Sequence, residues 1–172
     1  MSDSSAGDLL ADTRKNIPRH LRKVLDPVHL AEGSVLGALS VASVEYLLAK
    51  GRIVELAAGE ILFDINEPAD SFYVVCDGEV DFFRRFEESL SYLRTLGFGA
   101  EVGFVAMIAL QNRSGRVAAH SDCVLLEIST ALFARMHEQH PTDFGVLLLN
   151  LTRDLARLVR KLDHDLLQYT AV

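Results

Sequence analysis

Cysteine is nearly missing from this chain, and the two residues present, Cys76 and Cys123, lie in apolar β-like runs without CxxC or CxxH spacing. That pattern argues against a disulfide framework or a zinc site and leaves both as small core residues. Positive charge is also in deficit: 17 Lys and Arg stand against 24 Asp and Glu, a formal net charge of -7. Binding to phosphate backbones is driven by clustered cations, so direct DNA binding is not expected. No run of eighteen apolar residues occurs, and the N-terminus MSDSSAGDLLADTRKN lacks the basic-then-apolar order of a secretory signal. The expectation is a cytoplasmic protein that does not enter a membrane. Catalytic signatures are missing too, with no G-x-S-x-G, Walker loop or Cys-His dyad, and no H-x-H pair on a strand for a cupin metal. The expectation is therefore no enzyme and no metal. His137 and His140, three apart without a third ligand nearby, read as a solvated helix end, and His120 as a filler or surface residue.

What is present is apolar residue at 49%, enough over 172 residues for one domain with an added arm. Four regions follow. Residues 1–16 are small and polar and read as a flexible tail. Residues 17–50 carry apolar positions at helical spacing, interrupted at Pro27 and Gly33, and predict short helices. Residues 51–129 are a series of short β runs separated by AAGE, NEPAD, CDGE and FEES, which predicts an antiparallel roll; Asp77-Gly78 is its strongest hairpin signal. The series is broken by Gly103 to Ala109, which reads as one or two turns of inserted helix.

Residues 130–172 are helical, with a stop at His140-Pro141. There Phe144, Leu148, Leu151, Leu155, Leu158 and Leu162 follow a four-three alternation, which predicts either a homodimer seam or a helix packed on its own roll. After Leu167 five residues remain, too few for a helix-turn-helix.

The runs AAGEILFDINEPADSFYVVCDGEVDF (Ala57 to Phe82) and RSGRVAAHSDCVLLEI (Arg113 to Ile128), together with this order of parts, resemble the cyclic nucleotide-binding domain family. The resemblance implies a mainly β fold: a jelly roll with N-terminal helices and a long C-terminal helix, here without a DNA-binding domain. It also implies a phosphate site at the start of the inserted helix, with Gly103, Arg113 and Ser114 as ligand-binding positions. The family's sugar-binding carboxylate follows the glycine of an F-G-E triplet, which reads Val102-Gly103-Phe104 here.

Phe104 cannot accept a hydrogen bond, and its ring is expected where a ribose would lie. Arg116 stands where many members have Thr or Ser, so both are altered pocket positions. Arg116 reads either as a second cation beside Arg113 or as a solvated strand residue. Glu101 is expected to point elsewhere and pair with an arginine. Losing one hydrogen bond to a charged group costs about 1.5–3 kcal/mol, or roughly ten- to a hundredfold in affinity. The expectation is a non-catalytic signalling module that binds a cyclic nucleotide weakly or takes another anionic ligand. The alternative is a dimerising interaction module, with a partner protein, that has lost ligand binding.

Overall fold

Three short N-terminal segments lead into the β structure. After a 3-10 turn at Arg19–Leu21, helix α1 (Pro27–Leu30) starts where Asp26 accepts from the Val28 and His29 amides at 3.1 and 3.0 Å, with Pro27 supplying a preset φ. Helix α2 (Val41–Lys50) starts where the Ser40 hydroxyl accepts from the Ser43 amide. The computed structural model describes residues 17–170, so the expected tail at 1–16 lies outside it.

Eight strands then form two four-stranded antiparallel sheets. They are β1 (Arg52–Leu56), β2 (Ile61–Phe63), β3 (Ser71–Asp77), β4 (Val80–Phe86), β5 (Ser89–Leu96), β6 (Glu101–Val102), β7 (Gly115–Ala119) and β8 (Cys123–Ser129). One sheet has the order β1-β8-β3-β6 and the other β2-β7-β4-β5. The period of two sorts β3 into two environments. Phe72, Val74 and Cys76 face a core shared with the helices, and Tyr73 and Val75 face the interior of the roll with Phe63, Val117 and Leu125.

Asp77-Gly78 is not a hairpin, because β3 and β4 belong to different sheets and the turn carries the chain from one to the other. Gly78 has φ +72°, and a Cβ there would lie 2.2 Å from the Asp122 carbonyl oxygen, so the glycine serves a close approach between two turns. The hairpin that does form joins β4 and β5 through Glu87 and Glu88, which therefore sit in the turn and do not face Arg84 and Arg85 across the ladder.

Helix α3 (Phe104–Ile108) interrupts the strands between β6 and β7. Helices α4 (Thr130–Gln139) and α5 (Pro141–Thr170) close the chain. The break between them is tied to α2: the Ser40 and Ser43 hydroxyls each donate to Asp143 Oδ2 at 2.5 Å, and Ser43 Oγ lies 3.1 Å from His140 Nδ1. Burial pushes the Asp143 carboxyl up, but the two serine bonds outweigh it and hold the group below its usual range.

The leucine series on α5 divides. Leu151 is 1% exposed and belongs to the helical core, where Phe144 and Leu155 pack against it, whereas Leu148 and Leu162 are exposed. Leu151 is thereby removed from the expected seam, since its side chain is already spent on the chain's own body.

Candidate functional site

The inserted helix and the start of β7 build the site. Gly103, in the left-handed region at φ +95°, precedes α3, and a Cβ there would lie 2.4 Å from Arg113 Nη1. Glycine is required for the arginine to approach. Arg113 is 3% exposed. Its Nη1 donates to the Gly103 carbonyl at 3.0 Å and its Nη2 to the Ser71 carbonyl at 2.8 Å. The guanidinium carbon lies 4.2 Å from the centroid of Phe63 and 5.9 Å from that of Tyr73.

Among the described residues no carboxylate reaches Arg113 within ion-pair distance, and its Nε has no acceptor. Burial pushes its pKa down, and Tyr73, Asp70, Glu67 and Glu127 act against that from farther off. The structure thus brings Gly103 and Arg113 together; Ser114, next in sequence, is exposed.

The two altered positions lie elsewhere. Phe104 is 2% exposed, and its ring faces the helical core: its centroid is 5.5 Å from that of Phe72 and 6.0 Å from that of Phe133, both in edge-on contact. It leaves the roll interior free of its side chain, against the expectation that it fills a sugar's space. The reason is directional, because the first residue of α3 points its side chain into the apolar layer beneath the helix, where it meets two other rings edge-on. Arg116 sits on β7 between the inward-facing Gly115 and Val117, and so faces outward. There it makes two hydrogen bonds to Asp64, Nε to Oδ1 at 3.1 Å and Nη2 to Oδ2 at 2.5 Å. It is a paired strand residue and not a second cation beside Arg113. The hydrogen bond raises Arg116 and lowers Asp64 from their ordinary values.

Glu101, expected to pair with an arginine, forms no ion pair among the described residues and bonds the backbone instead. Its Oε2 accepts from the Phe104 amide at 3.0 Å, which satisfies the first N–H of α3 from two residues before the Gly103 N-cap position. Burial pushes the Glu101 carboxyl above its usual value, and the amide bond, Arg94 and Arg113 pull it back without cancelling the rise. Of the histidines, His120 pairs with Asp81 Oδ2 at 2.9 Å and His140 meets Ser43. No cluster of three metal-ligating side chains occurs among the described residues, and no helix is long and apolar enough to cross a membrane.

Comparison with known proteins gives one consistent answer. A family model, the cyclic nucleotide-binding domain, matches residues 53–140. The chain is similar to lysophospholipase NTE1 of Cryptococcus neoformans, 30% identical over 87 residues; the match takes in 51% of this chain but 5% of that protein. Its fold is similar to the catabolite activator protein of Thermus thermophilus, with a TM-score of 0.69 at 23% identity over 78% of this chain and 62% of that one. It is also similar to the sensor domain of the transcriptional regulator DNR from Pseudomonas aeruginosa, with a TM-score of 0.59 at 26% identity over 84% and 93% of the two chains.

Proposed function

The chain belongs to the cyclic nucleotide-binding domain family, and on that premise we propose that it is a non-catalytic regulatory module of the cytoplasm whose cassette responds weakly, or in altered fashion, to an anionic ligand such as a cyclic nucleotide. The observation that carries this reading is Arg113, a buried guanidinium bonded to two backbone carbonyls and to no carboxylate within ion-pair distance among the described residues. A buried charge without a counter-charge is expensive, and an anion arriving beside it would lower that cost. Gly103 and Ser114 are the neighbouring ligand positions.

The weak response follows from Phe104, which puts an aromatic ring where the family places its sugar-binding acid and then turns the ring into the helical core. That substitution has a mechanical consequence. Arg113 holds the Gly103 carbonyl, Gly103 begins α3, and the α3 residue Phe104 packs on Phe133 of α4, whose centroid is 4.8 Å from that of Phe144 on α5. An anion that draws Arg113 away from Gly103 would disturb this aromatic row and so bias the C-terminal helices. The regulatory character of the structural relatives supports the same assignment. Within it, α5 forms a homodimer through its outer half, where Leu148, Leu158 and Leu162 keep part of their surface in solvent.

The second reading, an interaction module that has lost its ligand and docks a partner protein, is favoured by one feature. Glu101 already holds the first amide of α3, and Arg113 is occupied by backbone. Calorimetric titration with cyclic AMP and cyclic GMP, on the wild type and on Arg113→Ala, tests the choice. Weak saturable heat that disappears in the variant supports the divergent sensor. Tight binding refutes the weakened pocket, and no heat with any cyclic mono- or dinucleotide favours the docking module.

A further inference from the structure

Register across β1, β8 and β3 sets Arg52 opposite Glu127 and Glu127 opposite Tyr73, so these three side chains stand in one row on one face of the sheet, with Ser71 on the same face of β3. Their hydrogen bonds run in one direction. Besides its bond to the Ser71 carbonyl, Arg113 Nη2 donates to Ser71 Oγ at 3.4 Å, that hydroxyl donates to the Tyr73 hydroxyl at 3.4 Å, and Tyr73 donates to Glu127 Oε1 at 3.2 Å. Arg52 Nε donates to the other carboxylate oxygen from the rim. Arg113, Ser71 and Tyr73 are buried, and the Glu127 side chain is 16% exposed against 66% for Arg52. Burial pushes the Glu127 carboxyl up, but the bonds from Arg52, Ser71 and Tyr73 outweigh it and hold the group below its usual range. A charged carboxylate therefore stands two hydroxyls away from the Arg113 guanidinium.

The two long links at Ser71 contribute little bond energy. What they supply is a line of aligned dipoles, in an interior where a buried charge acts farther than one in water. Asp70 and Glu67 also act on Arg113, but both are exposed, so solvent screens them. We propose that Glu127 is the remote counter-charge of Arg113, acting through Tyr73 and Ser71, and that Arg52 governs its strength from the rim. Glu127 is then a positioning residue for an anion site, a role that rests on the reading of Arg113 as that site. Its charge favours the resting pose, in which the guanidinium holds the Ser71 carbonyl, and opposes release to an incoming anion; Arg52 offsets part of that charge. Removing the charge of Glu127 should therefore tighten anion binding, and removing that of Arg52 should weaken it. The two signs are diagnostic. Both changes break the same ion pair, so a role confined to packing would move affinity the same way in each.

The test is a sulfate titration of the wild type, Glu127→Gln, Arg52→Gln and Tyr73→Phe, read from the Gly103 and Ser114 amide signals in NMR. Affinity should rise about three- to tenfold in Glu127→Gln and fall by a similar factor in Arg52→Gln. It should also rise in Tyr73→Phe, where the row is cut without a change of charge. Glu127→Gln combined with Tyr73→Phe should give less than the product of the single effects, since both remove one line of influence. Glutamine keeps an acceptor for Tyr73, and Arg52 lies at the surface, so both variants keep the fold, which unperturbed spectra of the free proteins would verify. Changes of the same sign in Glu127→Gln and Arg52→Gln, or full additivity with Tyr73→Phe, overturn the proposal. A second measurement needs no ligand: the NMR titration midpoint of the Glu127 carboxyl should rise in Arg113→Gln, which loses a positive neighbour, and stay near the wild-type value in Arg113→Lys, which keeps one. A midpoint unmoved in Arg113→Gln overturns the counter-charge whatever sulfate does. A moved midpoint without saturable sulfate binding in the wild type overturns instead the anion reading of Arg113, and supports the coupling of the two charges.

Discussion

Arg113 concentrates the chemistry of this chain in one side chain. Its two carbonyl bonds join β3 to the start of α3, and its stacking on Phe63 fills space in the roll. Replacing it with alanine leaves the Gly103 and Ser71 carbonyls without their donor. The gain from removing an unpaired charge offsets part of that, so the net loss expected in urea unfolding is about 1–3 kcal/mol. A lysine at the same position cannot span both carbonyls and should recover little of it. Glu101 gives a prediction of opposite sign. Burial first of all raises its folded pKa above the unfolded value, so the folded state holds the proton to higher pH. Stability is then greatest below the ordinary glutamate range and falls as pH rises through the raised value. Glu101→Gln keeps an oxygen for the Phe104 amide and removes the titration. Its unfolding free energy should lose less between acid and neutral pH than that of the wild type, and parallel profiles for the two proteins would show that the carboxyl is not desolvated. Neither side chain's direction was legible beforehand. The family resemblance placed Arg113 beside Gly103, but whether the guanidinium faces a ligand or the backbone depends on Ser71, forty-two residues away.

Elements obey local rules that the sequence displays and long-range choices that it does not. The β runs of residues 51–129 were readable because short β-rich stretches are separated by turn residues, and α3 because Gly103 to Ala109 breaks that series. The β3–β4 connection was misread for a physical reason. An Asp-Gly pair shows that the chain reverses with positive φ, and is silent on whether the next strand rejoins the same sheet. The actual demand on Gly78 is steric. Alanine there would combine φ +72° with a Cβ 2.2 Å from the Asp122 carbonyl oxygen, so the β3–β4 and β7–β8 turns would have to separate. The expected cost is about 1–3 kcal/mol, read as a lower urea midpoint at unchanged slope. Gly59 is the control, since it has φ +86° but open space around its Cβ position; alanine there should cost only the backbone strain and so less. Equal losses at both sites would mean that the conformation, and not the close approach, explains Gly78.

For the molecule as a whole, the proposed dimer depends on which surface is left to meet a second copy. The heptad pattern on α5 is legible as a period but ambiguous as a contact, because a leucine that packs on its own roll repeats with the same spacing as one that packs on a twin. The structure separates them by burial: Leu151 at 1% exposure belongs to the core, while Leu162 at 57% and its neighbour on the outer face, Val159, at 55% face solvent. Burying such a side chain contributes about 1.5–3 kcal/mol, and a two-fold interface counts every contact twice, so this patch can supply much of what a modest dimer needs. The two leucines should therefore respond differently to aspartate. Leu162→Asp should shift sedimentation from dimer to monomer and leave the unfolding midpoint near that of the wild type measured at a concentration low enough to dissociate the dimer. Leu151→Asp should cost several kcal/mol of folding stability, because it buries a carboxylate in the apolar layer that also holds Leu147 and Leu132. A wild type that sediments as a monomer across the accessible concentration range would refute the dimer and leave α5 as a helix that serves its own roll. A dimer undisturbed by Leu162→Asp would move the interface off the outer half of α5 altogether.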